Sequence, residues 1–219
     1  QLMSKILLVT ALYMHFFIEH NQGHHKNVAT PEDPATSRYG ESIYAFWFRS
    51  TKDSYLDAWK LENERLRKKN TSILSLHNQM IWFQIIQILY LSTIGFLFGW
   101  KMVLFAITIA IIGFLLLESV NYIEHYGLMR KKLPSGRYEN VMPTHSWNSN
   151  HEVGRILLYE LTRHSDHHFK STRKYQVLRH FDESPQLPYG YPNSILLALI
   201  PPLWFRLMNK KVEGIMAVS

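Results

Sequence analysis

The segment Arg163-His164-Ser165-Asp166-His167-His168 places three imidazoles at i, i+3 and i+4. On a helix these offsets gather the rings within about 100° of arc, with neighbouring Cβ atoms about 5–6 Å apart. A metal ion bonded to each imidazole at about 2 Å bridges such rings. A second segment, His20-Asn21-Gln22-Gly23-His24-His25, repeats the pattern with one more spacer residue. His20 and His24 share a face, whereas His25 stands about 140° from His20 on an ideal helix. That offset suggests more than one ion. A purely structural protein has little use for two such boxes, which read as a polyhistidine metal site.

The elements that must position these boxes are apolar. The chain has 219 residues, enough for one domain with a real core. It has no cysteine, which excludes disulfides, iron–sulfur clusters and a thiolate-ligated haem within it. Any metal is therefore held by nitrogen and oxygen. The net charge of +7 and pI near 9.5 raise the question of nucleic acid. No nucleic-acid motif accompanies the basic residues; they flank long apolar runs instead, the membrane pattern. A mean hydropathy of −0.14 requires that much of the chain lie outside the bilayer. The chain opens inside an apolar run and not on methionine, so it reads as a piece whose upstream part is missing.

Taken in order, the pattern predicts an all-α chain. Residues 2–19 form a first candidate span, at the lower edge of the length needed, and lead directly into Glu19 and the first box. Thr30-Pro31-Glu32-Asp33-Pro34 ends that helix. Ser42 to about Asn70 is amphipathic, with Tyr44, Phe48, Tyr55, Trp59 and Leu66 on its apolar stripe. Residues 81–98 and 102–120 are the clear spans, joined only by Gly99-Trp100-Lys101 into a transmembrane hairpin. Gln84 and Gln87 within it read as inter-helix hydrogen-bond partners ahead of pocket linings. Nine Lys and Arg lie between His25 and Met80, thirteen follow Val120, and Lys101 alone occupies the hairpin tip. The positive-inside rule then turns regions 20–80 and 121–192 to the cytoplasm. Residues 195–207, interrupted by Pro201-Pro202, are too short to span and read as an interfacial helix.

The second hairpin helix runs into Asn121-Tyr122-Ile123-Glu124-His125-Tyr126-Gly127. Because the chain crosses out and back between His25 and His125, both emerge on one side, and Asn121 and Glu124 can orient the ring. His77, His145, His151 and His180 have no box partners and are expected at the surface or as supporting groups. A zinc hydrolase is the first competitor. Its helical HExxH is absent, since Val153-Gly154-Arg155 follows His151-Glu152. Four ligands also satisfy zinc, whereas His20, His24, His25, His125, His164, His167 and His168 make seven. The excess favours two metals; iron, copper, nickel and zinc all suit imidazole. A membrane protein that binds metal without catalysis is a further class, though it would offer mobile His tracts and not boxes pinned to helix ends.

These residues carry a resemblance. His20 through Pro34 resembles the second histidine box of bacterial integral-membrane alkane 1-monooxygenases. Asn121–Gly127 is similar to their NYxEHYG motif, which separates them from the related fatty-acid desaturases. Leu161–His168, continued by Arg179-His180-Phe181, resembles the third box. Pro185-Gln186-Leu187-Pro188 with Gly190-Tyr191-Pro192 resembles the closing loop. The likeness covers essentially the whole chain. Thr162 departs from the glutamine common in relatives. The family's first box, a HExxH-like pair, has no match.

The resemblance implies a single catalytic domain over 1–219: polytopic membrane helices with a cytoplasmic-facing helical polyhistidine di-iron domain in a bacterial inner membrane. It implies nine histidine ligands for two irons, of which His20, His24, His25, His125, His164, His167 and His168 are present, so this piece alone should be inactive. Glu19, Asn121, Glu124 and Asp166 are expected to support the ligands. The implied reaction hydroxylates the terminal methyl of linear, medium-chain alkanes with O2 and two electrons. Rubredoxin and its reductase supply the electrons, and the bilayer brings in the alkane. Arg130-Lys131-Lys132 or Arg173-Lys174 could attract an acidic carrier. The runner-up is a related membrane di-iron fatty-acid desaturase or xylene-type hydroxylase.

Overall fold

The computed structural model describes residues 2–218. Among them there is no strand, only isolated bridges at Lys132–Tyr138 and Asn148–Gln186, so the chain is all-α as expected. Its helices in order are α1 (Leu2–Thr10), α2 (Phe16–Ile18), a π-helical turn (Glu19–His24), α3 (His25–Asn27), α4 (Ile43–Lys68), α5 (Gln79–Phe98) and α6 (Trp100–His125). Then follow α7 (Glu152–Leu157), α8 (His164–Phe169), α9 (Tyr191–Ala198) and α10 (Pro201–Val218).

Helices α5 and α6, of 20 and 26 residues, contain the expected spans and are long and apolar enough to cross a membrane. At 1.5 Å per residue they reach about 30 and 39 Å, against a hydrocarbon core of about 30 Å. Ile88, Leu89, Phe96, Leu97, Ile112 and Leu116 on them remain exposed, a surface suited to lipid and not to water.

Two other expectations need correction. Residues 2–19 are not one helix. Helix α1 stops at Thr10, where Tyr13 N donates to Leu8 O and Leu12 N to Val9 O, both at 3.0 Å. That is the Schellman turn, with Leu12 at φ 50 where glycine is usual; the left-handed residue costs about 1–2 kcal/mol. Nine residues are too few to span. Residues 195–207 are also not one helix: α9 ends at Ala198, and Pro201-Pro202 open α10, where a missing N–H is harmless in the first turn.

The buried face of α4 is Ile43, Phe46, Ser50, Ser54, Ala58, Glu62 and Leu66, a helical three–four spacing. Tyr44 and Phe48, expected on that stripe, are 51% and 77% exposed. Leu66 of that stripe is buried and Tyr55 and Trp59 pack against the core, but small and polar side chains (Ser50, Ser54, Ala58 and Glu62) fill the middle of the close-packed face, so hydrophobicity alone misplaces its first half.

The chain forms two compact units, Gln1–His24 with Thr51–Leu117, and His25–Ser50 with Glu118–Ser219. The first has a core of Met14, Ile18, Ala58, Met80 and Phe83. Tyr13 stacks on Phe114 at 5.2 Å, and Gln87 Oε1 accepts from Met14 N at 3.2 Å. The start of α5 is doubly capped. Asn78 Oδ1 accepts from Met80 N and Ile81 N, and Glu62 Oε1 accepts from Gln79 N at 2.6 Å while holding Arg65.

Burial alone would raise the Glu62 carboxyl, but Arg65 and the Gln79 N–H outweigh it and hold it below its ordinary value. Stability from such a group is present above its unfolded pKa and fades as pH falls through the lowered folded one. Thermal unfolding in detergent should therefore show Glu62→Gln weaker than the parent at neutral pH, with the gap closing in acid. Asn78→Ala should cost about 1 kcal/mol at either pH.

The second unit packs Ile43, Phe46, Tyr122, Tyr126, Trp147 and Tyr191 with Trp204, Met208 and Val212 of α10. The last three lie four apart and form one stripe. Gly127, at φ 71, ends α6; a Cβ there would stand 2.9 Å from Val212 Cγ2. Both the left-handed turn and the close approach of α10 require glycine.

Candidate metal centre

His125 is the last residue of α6, and the residues around it are tied down individually. Ser37 Oγ donates to Tyr122 O at 2.6 Å, and Tyr122 Oη donates to Glu41 O at 2.7 Å. Tyr126 Oη donates to Asn209 Oδ1 at 2.6 Å. Trp147 bonds the chain on both sides of His125, its N donating to Glu124 O and its Nε1 to Tyr126 O, each at 2.8 Å. These tyrosines anchor the end of α6 that carries His125.

The third box is fixed in the same unit. Ser165 N donates to Asn148 Oδ1 at 2.8 Å and Ser165 Oγ to Ser146 O at 2.9 Å. Asp166 is fully buried and turns its carboxylate to Arg173 and Arg179, accepting from Arg179 N at 2.8 Å. Burial alone would raise this carboxyl; the bonds from Arg179 and Arg173 hold it below its usual value. Asp166 therefore ties down the chain beyond α8, where the sequence suggested a group orienting an imidazole.

What this scaffold presents is three converging nitrogens. His164 Nε2 stands 3.1 Å from His125 Nε2 and 2.8 Å from His168 Nε2. The ligand atoms of these three residues lie within 4.8 Å of one another, and all three residues are buried. Nitrogens about 2.1 Å from one ion stand about 3.0–3.4 Å apart at bond angles between square and tetrahedral; the 3.1 Å spacing falls in that range and the 2.8 Å spacing just below it, so a shared cation needs only a small opening of the His164–His168 pair. On the far side of His164, Nδ1 lies 3.2 Å from Glu124 Oε1. A proton on Nδ1 there leaves the Nε2 lone pair directed at the other two rings.

Tyr191 Oη donates to the same Glu124 Oε1 at 2.8 Å. Burial, and next the carboxylate, push the Tyr191 phenol well above its ordinary value, which keeps it a donor. His25 and His167 form a second pair in this unit, with ring centroids 4.7 Å apart and ligand atoms also within 4.8 Å. Asn121 Nδ2 donates to Glu118 Oε1 at 3.3 Å, and Glu118 also accepts from Ser50 Oγ at 2.6 Å. Asn121 thus sits in a buried polar knot.

In the first unit, His20 and His24 stack at 5.2 Å within the π turn. The offset of about 140° holds only for α winding. Hydrogen bonds from i+5 to i bring the fifth residue back toward its starting face, so the argument from that offset to a second ion falls. Gly23 makes room here: a Cβ would come 3.0 Å from both Asp57 Oδ2 and Glu19 Oε1. Glu19 is fully buried, and Asp57 joins it as a carboxylate beside the box that the sequence did not single out.

His77, His151 and His180 are surface residues. His145 is buried, its Nδ1 accepting from Met142 N at 3.0 Å and its Nε2 lying 3.2 Å from Glu139, so it serves a turn. Sequence reasoning missed Tyr191, Asn148 and Ser37, whose residue types carry no signal of their own.

The fatty acid desaturase family model matches residues 2–195. The chain belongs to the fatty acid desaturase family. Its curated relatives include monooxygenases. It is 48% identical to alkane 1-monooxygenase 2 of Pseudomonas aeruginosa, covering 95% of this chain and 55% of that protein. It is 50% identical to alkane 1-monooxygenase of Ectopseudomonas oleovorans, covering 96% and 52%. The hydroxylase component XylM of the Pseudomonas putida xylene/toluene monooxygenase is 34% identical, over 88% and 51%. The chain spans about half the length of these relatives. Family membership and the two apolar helices make this part of a membrane protein, and the converging imidazoles of a desaturase-family chain are a metal-binding arrangement.

Proposed function

We propose that this chain is part of a membrane non-haem di-iron monooxygenase that converts linear, medium-chain alkanes to 1-alkanols. The convergence of His125, His164 and His168 carries the reading, supported by alkane 1-monooxygenase relatives at 46–50% identity over about 95% of the chain. The proposed ligands are His20, His24, His25, His125, His164, His167 and His168, serving two irons, since seven exceed what one ion takes. Bound iron supplies the oxidising strength toward a methyl C–H bond that no side chain has. The protein's part is to hold the imidazoles, orient His164 through Glu124 and Tyr191, and keep water from the buried rings. One O2, two electrons and two protons then yield one alcohol and one water, with rubredoxin and its reductase as the electron source.

The test is turnover by the full-length parent in membranes with reduced rubredoxin, n-octane and 18O2. Labelled 1-octanol is the expected product. The 34% likeness to the XylM hydroxylase favours methyl hydroxylation of xylene as the second reading. Xylene turnover without octane turnover would replace the first with it, and a double bond in an acyl chain would point to a desaturase. No oxygen uptake with any of these substrates would leave a metal-binding protein without catalysis.

We further propose an inner-membrane orientation with the histidines toward the cytoplasm, because Lys101 alone marks the α5–α6 connection. In the full-length parent, a reporter at Gly99–Lys101 should read periplasmic and one after Ser219 cytoplasmic. Both on one side would remove the hairpin.

A further inference from the structure

Helix α1 is too short to span, yet its outer side is apolar: Leu2, Met3, Ile6 and Leu7 are all exposed. Its inner side, Leu8 and Val9, packs on the core of the first unit beside Met80 and Phe83. Between α1 and the start of α5 lies a groove of about 390 Å³, within the range of small-molecule sites of about 300–1,000 Å³. Ile6, Val9, Trp82, Phe83 and Ile86 contribute apolar wall, and Lys5 is the only charged residue on the lining. Ile6, Trp82 and Ile86 are exposed, so a guest meets that wall directly.

The cation narrows that guest. Lys5 is half-buried and makes no ion pair or hydrogen bond among the described residues; its ammonium stands 4.4 Å from the centre of the Phe17 ring and 5.7 Å from that of Phe83. Ring faces attract a cation but leave its charge uncompensated. Because Phe83 also lines the groove, the ammonium and the apolar wall face the same guest. Depth identifies that guest further. Helix α5 begins at Gln79, which puts Trp82 and Phe83 about 4.5–6 Å along the span. Trp82 Nε1 donates back to Leu76 O at 2.7 Å, the amphipathic setting that tryptophan takes at a membrane surface. At that depth the bilayer offers one kind of molecule with an anion and an apolar tail together. Basic pockets between membrane helices hold such headgroups.

We propose that this groove holds a phospholipid of net negative headgroup, its phosphate on the Lys5 ammonium and an acyl chain along Ile6, Val9 and Ile86. The site is independent of the proposed function, because its occupancy needs neither metal nor turnover.

The test places the full-length protein in phosphatidylcholine nanodiscs doped with a lipid that carries a diazirine in one acyl chain. Phosphatidylglycerol and phosphatidylcholine probes with the same chain are compared at equal mole fraction. The phosphatidylglycerol probe should label peptides holding Ile6, Val9 or Ile86 about fivefold more strongly, the weight of one lysine at an anionic surface. Lys5→Gln should erase that preference without changing labelling by phosphatidylcholine, and Lys5→Arg should keep it. Lys68→Gln, which removes an exposed cation outside the lining, should leave the preference intact. Ile86→Trp, which fills the groove, should lower labelling by both probes. Equal labelling by the two probes, or a preference indifferent to Lys5→Gln, would overturn the proposal; the second result means that Lys5 merely reaches for water and other basic residues gather the lipid. Displacement of the probe by soluble glycerol phosphate would reassign the site to a free anion. Absence of label from these peptides would show that another part of the full-length protein covers the groove, and would end the proposal as well.

Discussion

His164→Ala in the full-length protein should lose bound metal and reduce alkane oxidation by more than about a hundredfold, beyond the usual effect of disturbing a group behind a ligand. The size of the effect follows from position. His164 Nε2 is the middle of three nitrogens, 3.1 Å from His125 and 2.8 Å from His168, and its ring also carries the contact to Glu124. Removing it opens the cluster at its centre. His125→Ala should behave similarly because its Nε2 is the cluster nitrogen 3.1 Å from His164 Nε2. His77→Ala, a change at an exposed residue with no box partner, should be nearly silent. Elemental analysis beside product analysis checks all three. Full iron content in His164→Ala, or equal losses in His77→Ala, would end the reading.

The second large effect is expected at Glu124. Glu124→Gln preserves size but replaces the carboxyl oxygens, one of which lies 3.2 Å from His164 Nδ1, with an amide. Groups that orient a metal-bound imidazole change affinity or activity by about 10–100-fold, and Glu124→Gln belongs at the upper end because the carboxylate is buried. Tyr191→Phe removes one donor to that carboxylate and should lie at the lower end. Iron affinity separates this role from simple packing. If both variants unfold more easily yet bind iron as the parent does, Glu124 and Tyr191 only hold the fold together.

Much of the site was legible because histidine spacing is a strong signal. The third box and His125 could be read directly, and the structure brings His125, His164 and His168 together. What fixes them could not be read. Asn148 and Tyr191 are distant in sequence from the rings they serve, and an asparagine or tyrosine in a loop has many ordinary explanations. Asp166 sits inside the box, so adjacency suggested the wrong partner; its buried carboxylate finds two arginines. The spans of α5 and α6 were plain from their length and apolarity. The break after Thr10 was hidden because the Schellman turn there uses Leu12 and not glycine. The face of α4 misled because burial there goes to serine, alanine and glutamate, types that hydropathy counts as outward.

The π turn at Glu19–His24 changes how the two boxes compare. In an α-helix the hydrogen bond spans four residues, and the third box spaces its histidines at 0, 3 and 4. In a π-helix the bond spans five, and the His20–His25 box spaces its histidines at 0, 4 and 5. The extra spacer is the extra residue of the winding. The two boxes are one presentation written in two helical alphabets, so spacer count and winding vary together. Removing one spacer from His20–His25 is therefore less disruptive when the segment rewinds as α than any change that keeps the count and forces α winding on it.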